Sequence, residues 1–171
     1  MMTVPSVTEK FSTVDIEVQT PVEKSFFPIL AMPIVIVPIL RAGLGLVEGF
    51  HAALPEASVA HIGMARNEET LKPETYYLNA PQELSKAEVL VLDPMLATGG
   101  SAIATVDELK KKNAKKITFV GLLSAPEGSR ALSNAHPDID IIIATQDREL
   151  NDQGYICPGL GDAGDRIFGT I

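Results

Sequence analysis

Val89-Leu-Val-Leu-Asp93-Pro-Met-Leu-Ala-Thr98-Gly-Gly-Ser101 is the stretch on which the fold turns. Its four leading apolar residues suit a strand buried on both faces of a parallel sheet. Asp93 follows where such a strand would leave the sheet, and a helical pattern begins at Ser101. A loop of small residues between strand and helix lets backbone N–H groups converge on an anion. Gly99 and Gly100 can take positive φ there and admit close approach. Thr98 and Ser101 add hydroxyls. One strand end therefore offers an acid for sugar hydroxyls beside a cradle for phosphate, a combination that suits a ribose phosphate. No Lys follows these glycines and the loop is not Gly-x-Gly-x-x-Gly, so it reads neither as a Walker loop nor as a dinucleotide fingerprint.

Outward from this stretch, strands alternate with helices. Strands are expected at Thr13 to Val18, Ile34 to Val37, Ser58 to Met64, Glu88 to Asp93, Lys116 to Leu123 and Ile139 to Ala144. Helices are expected after Gly45 to Phe50, from Ser101 to Lys112 and from Glu127 to Ala135. The alternation predicts an α/β fold with a mostly parallel central sheet flanked by helices. Ligands of such sheets sit outside the carboxyl ends of the strands, where Arg41, Asp93 and the Gly99–Gly100 turn all fall. Thr13 to Val18 alternates Val14, Ile16 and Val18 with Asp15 and Glu17, the pattern of a half-buried strand. Met1 to Phe11 shows no period and is expected to be loose. Phe26 to Leu40 is wholly apolar, but it is shorter than the roughly 20 residues of a membrane span and holds Pro28, Pro33 and Pro38. It reads as a loop leading into a buried strand. Arg66 to Tyr77 reads as a hairpin with its turn at Lys72-Pro73. Leu150 to Gly169 is too rich in glycine for regular helix and reads as backbone laid against a small ligand.

The 171 residues suit one domain, residues 1–171, and carry a formal charge of −8. That balance disfavours non-specific binding to nucleic acid or an anionic membrane. Cys157 is the sole cysteine, so no intrachain disulfide is available, which fits a reducing cytoplasm. His51, His61 and His136 lack metal-ligand spacing. Arg41, at the end of a buried strand beside two glycines, has a fixed base and an open approach, and its guanidinium matches phosphate oxygens.

Asp93 to Ser101 resembles the phosphoribosyl-pyrophosphate loop of the uracil phosphoribosyltransferases. Three further stretches match that family in order: Val37-Pro-Ile-Leu-Arg-Ala-Gly-Leu-Gly45, Gly63-Met-Ala-Arg-Asn-Glu-Glu-Thr70 and Tyr155-Ile-Cys-Pro-Gly-Leu-Gly-Asp-Ala-Gly-Asp165. The resemblance runs from about Thr13 to the C-terminus. It implies a type I phosphoribosyltransferase fold, with a β-hairpin lid at residues 65–80 and a C-terminal hood at residues 150–171. It also implies transfer of phosphoribose to uracil, giving uridine monophosphate and diphosphate. Arg41, Arg66 and Asp162 would act on the diphosphate side. Asp93, Pro94, Met95, Leu96, Ala97, Thr98, Gly99, Gly100 and Ser101 would bind the phosphoribosyl pyrophosphate together with Arg41, Arg66 and Asp162. Uracil would contact Ile156, Gly161, Asp162 and Ala163. The implied cofactor is Mg²⁺, held mainly by substrate and water, because Pro94 stands where many relatives of the wider fold place a second acid. A homo-oligomer, dimer or higher, and GTP as an effector are also brought in by the resemblance. This chain departs from the family at Ala65, usually Tyr, and at Asn79, usually Lys, and in the few residues before the Thr13 strand. Those departures favour one alternative, a relative that binds uracil without turnover; a phosphoribosyltransferase for another base is a second, and an RNA-binding regulator on a related fold is a third, against which the charge of −8 counts.

Overall fold

The computed structural model describes residues 3–66 and 73–170. In chain order the elements are α1 (Val4–Thr8), β1 (Thr13–Gln19), β2 (Lys24–Leu30), β3 (Ile34–Leu40), α2 (Leu44–Ala53), β4 (Ser58–Val59), β5 (His61–Arg66) and β6 (Pro73–Asn79). A 3₁₀ turn (Leu84–Lys86) leads to β7 (Glu88–Leu92), β8 (Met95–Leu96), α3 (Gly100–Lys111), β9 (Lys116–Ser124), α4 (Pro126–Ala135), β10 (Asp140–Gln146), β11 (Glu149–Leu150), β12 (Ile156–Cys157) and α5 (Ala163–Phe168).

The main sheet runs β10-β9-β7-β3-β5-β6. All pairings along it are parallel except β5 with β6. The apolar runs read from the sequence are its central strands, and their alternate side chains enter two cores. Val35, Val37, Ile39, Val89, Val91, Ile117 and Phe119 pack with Ala102, Val106 and Leu109 of α3 and Leu132 of α4. Ile34, Ile36, Leu90, Leu92 and Val120 pack on the other face with Phe50 and Leu54. The helix after β3 thus covers one face and the helix after β7 the other. Between adjacent β3 and β7 the winding reverses, which opens a crevice at their carboxyl ends. Pro38 sits inside β3, where it has no N–H to give. The pairing on that side steps from β4, matched to Val35 and Ile36, to β5, matched to Ile39 and Leu40, so the gap falls at the proline.

Several expectations are corrected. The N-terminal segment is not loose: Val4 and Val7, three apart on α1, are buried in the second core. Phe26 to Leu40 is not a loop and a strand but parts of two strands, β2 and β3. Thr13–Gln19 is a strand, yet it is exposed along its whole length, since it pairs with β2 in a separate hairpin. Its apolar face is real: Val14, Ile16 and Val18 stand beside Ile29 and Phe27. Among the described residues of one chain, that face stays exposed. The C-terminal tail contains the helix α5 despite its glycines. Asp162 caps it, accepting the Asp165 N–H at 2.9 Å, and Gly169 closes it at φ +65°.

Lys110 and Lys111 end α3 as a solvated, paired helix terminus, with Asp138 at 2.6 Å and Glu108 at 2.7 Å. No helix among the described residues is long and apolar enough to cross a membrane.

Candidate active site

The site is assembled from the loops that leave β3 and β7. After β3 the Leu40–Arg41 peptide is cis, and Gly43 turns the chain into α2. A Cβ at Gly43 would overlap the Leu92 carbonyl oxygen, so the two loops touch through backbone alone. After β7, Asp93 gives its N–H to the Val120 carbonyl, and its Oδ1 accepts the Met95 N–H at 3.2 Å. Met95 and Leu96 form β8 against Leu123 and Ser124. The Pro94 carbonyl accepts from both Leu122 and Leu123 N–H, and Leu96 packs in the core. The loop then reaches Gly99, whose φ of +84° starts α3, and lies on α4 where Gly128 has no room for a Cβ beside the Ala97 carbonyl. The loop from Pro94 to Gly99 is therefore held from below by β9 and α4. Thr98 accepts the Gly100 N–H at 3.4 Å, and its methyl is 3.6 Å from where a Cβ of Gly154 would stand.

The C-terminal segment folds over this crevice. β11 and β12 form a short antiparallel pair, the Cys157–Pro158 peptide is cis, and Asp147 accepts the Gly159 N–H at 2.8 Å. A cavity of about 240 Å³ results, lined by Ala42, Asp93, Met95, Ala97, Gly154, Tyr155, Ile156, Gly161, Asp162, Ala163 and Gly164. It is small for a ligand pocket, these running roughly 300–1,000 Å³, and suits a compact ligand. The sequence-derived base contacts Ile156, Gly161, Asp162 and Ala163 all line it, together with the acid Asp93. Thr98, Gly99, Gly100 and Ser101 continue from its edge into α3. The sequence reading does not single out Tyr155, Ala42 and Gly164, which also line it. The signal for Tyr155 is present, since it begins the Tyr155–Asp165 motif.

Asp93 is only partly exposed, through the cavity. Burial pushes its carboxyl up to about 7; the Met95 N–H opposes this and the nearby Asp162 charge adds to it. Arg41 leaves the end of β3 and pairs with Asp165 of α5 at 2.9 Å. Arg66 ends β5 opposite Pro73, but its side chain and the hairpin tip 67–72 lie outside the described residues. Asn79 is exposed at the other end of that hairpin, opposite His61.

A second cavity of about 240 Å³ lies at the opposite ends of the strands, lined by Lys10, Glu88, Lys116, Asp138 and Asp140 among others. Its Lys10 is bound to Asp140 at 2.6 Å and its Lys116 to Glu88 at 2.9 Å. Those lysines are already paired, and the lining holds no glycine.

A family model described as uracil phosphoribosyltransferase matches residues 1–170. Relatives of that name include one from Pediococcus pentosaceus, 56% identical over 165 residues that span 96% of this chain and 79% of its own length. Another, from Acholeplasma laidlawii, is 52% identical over 164 residues, again 96% and 79%. Among solved structures, a protein of Aquifex aeolicus matches with a TM-score of 0.90 at 40% identity over 98% of this chain and 80% of that one. A hypoxanthine-guanine phosphoribosyltransferase of Bacillus anthracis shares the type I fold at 12% identity, with a TM-score of 0.59 over 88% of this chain and 75% of that one. The match spans almost every residue from α1 to α5, and the cavity lies where β3 and β7 end, so the chain belongs to the uracil phosphoribosyltransferase family.

Proposed function

We propose that this chain transfers phosphoribose from 5-phosphoribosyl 1-pyrophosphate to uracil, yielding uridine monophosphate and diphosphate in the salvage of uracil. The observation that carries this is one cavity lined by Asp93 and by Ile156, Gly161, Asp162 and Ala163, in which a ribose hydroxyl acceptor and a base-sized pocket would share a wall. In the reaction uracil N1 forms a bond to ribose C1′. The C1′–O bond breaks with its electron pair on the departing diphosphate, and the N1 proton passes to solvent or to that diphosphate.

The roles proposed are those the family resemblance implies, and residue chemistry is compatible with each. Asp93 accepts from the ribose hydroxyls. The loop Ala97 to Ser101, at the start of α3, presents N–H groups and hydroxyls to the 5′-phosphate. Arg41 and Arg66 take up charge on the diphosphate, where fixed donors are effective because they need no reorganisation. Backbone groups of Ile156, Gly161 and Ala163 match the uracil edge. Cytosine, with donor and acceptor exchanged there, would leave buried groups unpaired at about 1–3 kcal/mol each. Residues 65–80 act as a lid and 150–171 as the hood of a single domain, excluding water during transfer.

Mg²⁺ fits as a cation that arrives on the substrate. Among the described residues no group of three or more His, Cys, Asp or Glu side chains could hold a metal. The carboxylates at the cavity are Asp93 and Asp162, so diphosphate oxygens and water supply most ligands. When bound, the ion offsets negative charge on the diphosphate. The work is assigned to the cytoplasm, where the free thiol of Cys157 fits a reducing compartment. The exposed apolar face of the β1–β2 hairpin supports a homo-oligomer, and GTP as an activator belongs to the same proposal.

The test is formation of uridine monophosphate from labelled uracil, phosphoribosyl pyrophosphate and Mg²⁺, with and without GTP and with Arg41→Ala as control. Product that disappears in the variant is expected. Folded protein that binds uracil but makes no product would sink the transferase assignment, and a preference for cytosine or a purine would sink the base assignment.

A further inference from the structure

Arg41 does not stand free at the mouth of the crevice. Its Nη2 donates to Asp165 Oδ1 at 2.9 Å, and its Nη1 approaches Thr170 Oγ1 at 3.4 Å. The Thr170 hydroxyl in turn donates to the same Asp165 oxygen at 2.6 Å. The ring of Phe168 lies 6.0 Å from the guanidinium carbon, within range of a cation–π contact. All three partners come from the last turn and a half of the chain. That segment is itself docked on the loop carrying Arg41. A Cβ at Gly45 would meet Ile167 at 3.0 Å, and one at Gly164 would meet Ala42 at 3.8 Å.

We infer that Asp165 and Thr170 form a positioning pair that fixes the Arg41 guanidinium for the diphosphate of the substrate. This rests on the transferase function proposed above and names residues to which nothing so far has given a part in it. A guanidinium carries five N–H donors in a rigid fork. Asp165 and Thr170 engage Nη2 and Nη1, and donors remain for phosphate oxygens. Ordering a long side chain before the ligand arrives removes that entropy from the cost of binding. The alternative, that Asp165 competes with diphosphate and acts as a brake, is the weaker one. The pair is open to solvent, with side-chain exposures of 55% and 36%, and so is screened and weak. It cannot hold an arginine against several phosphate charges. Thr170 and then Arg41 hold the Asp165 carboxyl below its ordinary range, so it stays ionised at neutral pH. Because α5 begins at Asp162 and Ala163, on the wall of the base cavity, the same short helix joins the base side of the site to the diphosphate side.

The experiment is a double-mutant cycle on the full chain, read as KM and calorimetric Kd for phosphoribosyl pyrophosphate and KM for uracil. Asp165→Ala is expected to raise the phosphoribosyl pyrophosphate constants about two- to fivefold, with the uracil KM and the melting temperature nearly unchanged. Asp165→Asn, which keeps an acceptor oxygen, should recover part of the loss, and Thr170→Val should show a smaller loss. In the Arg41→Ala background, Asp165→Ala should add nothing. Additive losses, a lowered phosphoribosyl pyrophosphate KM, or an equal rise in both KM values with a lower melting temperature would each overturn the inference. Turnover by the parent chain judges the transferase function separately. If the parent binds phosphoribosyl pyrophosphate without turnover, the cycle is still decided by the Kd values. If the parent binds none, both fail.

Discussion

Gly43 and Leu92 meet backbone to backbone: a Cβ on the glycine would overlap the leucine carbonyl oxygen and crowd Ile39 as well. This contact ties the end of β3 to the end of β7, and so ties the loop of Arg41 to the loop of Asp93. Gly43→Ala is expected to push these loops apart at a cost of about 1–3 kcal/mol, the usual range for overpacking. A chemical-denaturation curve should show the loss, and the variant's KM for phosphoribosyl pyrophosphate should rise. An unchanged midpoint would show that the loops can separate freely.

Asp93 gives a pH signature. Its ordinary value of 3.8 is pushed up to about 7 in the fold, first by burial, against the Met95 N–H, and then by Asp162. The folded chain therefore holds this proton more tightly than the unfolded chain. Between about pH 4 and pH 7 the folded state binds more protons, so stability falls as pH rises through that window and the loss is complete above it. Each pKa unit corresponds to about 1.4 kcal/mol. Asp93→Asn should match the parent near pH ~4 and exceed it at pH ~8 by on the order of 1–3 kcal/mol. Thermal melts of the ligand-free proteins at both pH values decide this, and parallel curves would exclude a raised Asp93.

The sheet and the Asp93 loop were legible because their signals are local. Ile34 to Val37 and Val89 to Leu92 are apolar runs, and strands buried on both faces leave that mark. The β1–β2 hairpin shows the limit of such signals. Val14, Ile16 and Val18 announce a face that must be covered, but periodicity does not say by what, and within the described residues of one chain they stay exposed. In the tail, the glycines suggest irregular backbone and hide a helix that Asp162 and Gly169 bracket as N-cap and C-terminal glycine. Asp165 stands out in the sequence only as the last residue of a motif, because its partner Arg41 lies 124 positions away and no local pattern links them.

Asp162 has two separable duties. Its Oδ1 caps α5 through the Asp165 N–H at 2.9 Å, and the residue lines the cavity. Asparagine caps as well as aspartate, whereas alanine loses about 0.5–2 kcal/mol. Asp162→Asn should therefore keep the parent melting temperature and Asp162→Ala should lower it. Both should lose turnover if the charge acts on the substrate. Turnover by the Asp162→Asn variant close to the parent's would assign Asp162 to capping alone. Asp162→Asn should also lower the pKa of Asp93, which an NMR titration of its carboxyl carbon would detect.

The hairpin supplies the last expectation. Val14, Ile16, Val18, Phe27 and Ile29 share one face, each 37–48% exposed, and Phe26 on the other face is 69% exposed. An isolated two-stranded hairpin is marginal in water, and burying apolar surface contributes about 25 cal/mol per Å². Exposed in a monomer, this face would be both a weak element and an adhesive one. A second copy, as proposed above, would cover it without any other component. The apolar groove lined by Ile29, Leu30, Met32, Leu54 and Ala57 at the hairpin's base continues the same surface. Sedimentation should find a dimer or larger species, and Ile16→Glu with Phe27→Glu should shift it toward monomer with β3, β7 and the cavity intact. Parent protein that sediments as a monomer at micromolar concentration would leave the face without its second copy and defeat the proposal. A charged double variant that stays assembled would move the interface elsewhere on the molecule.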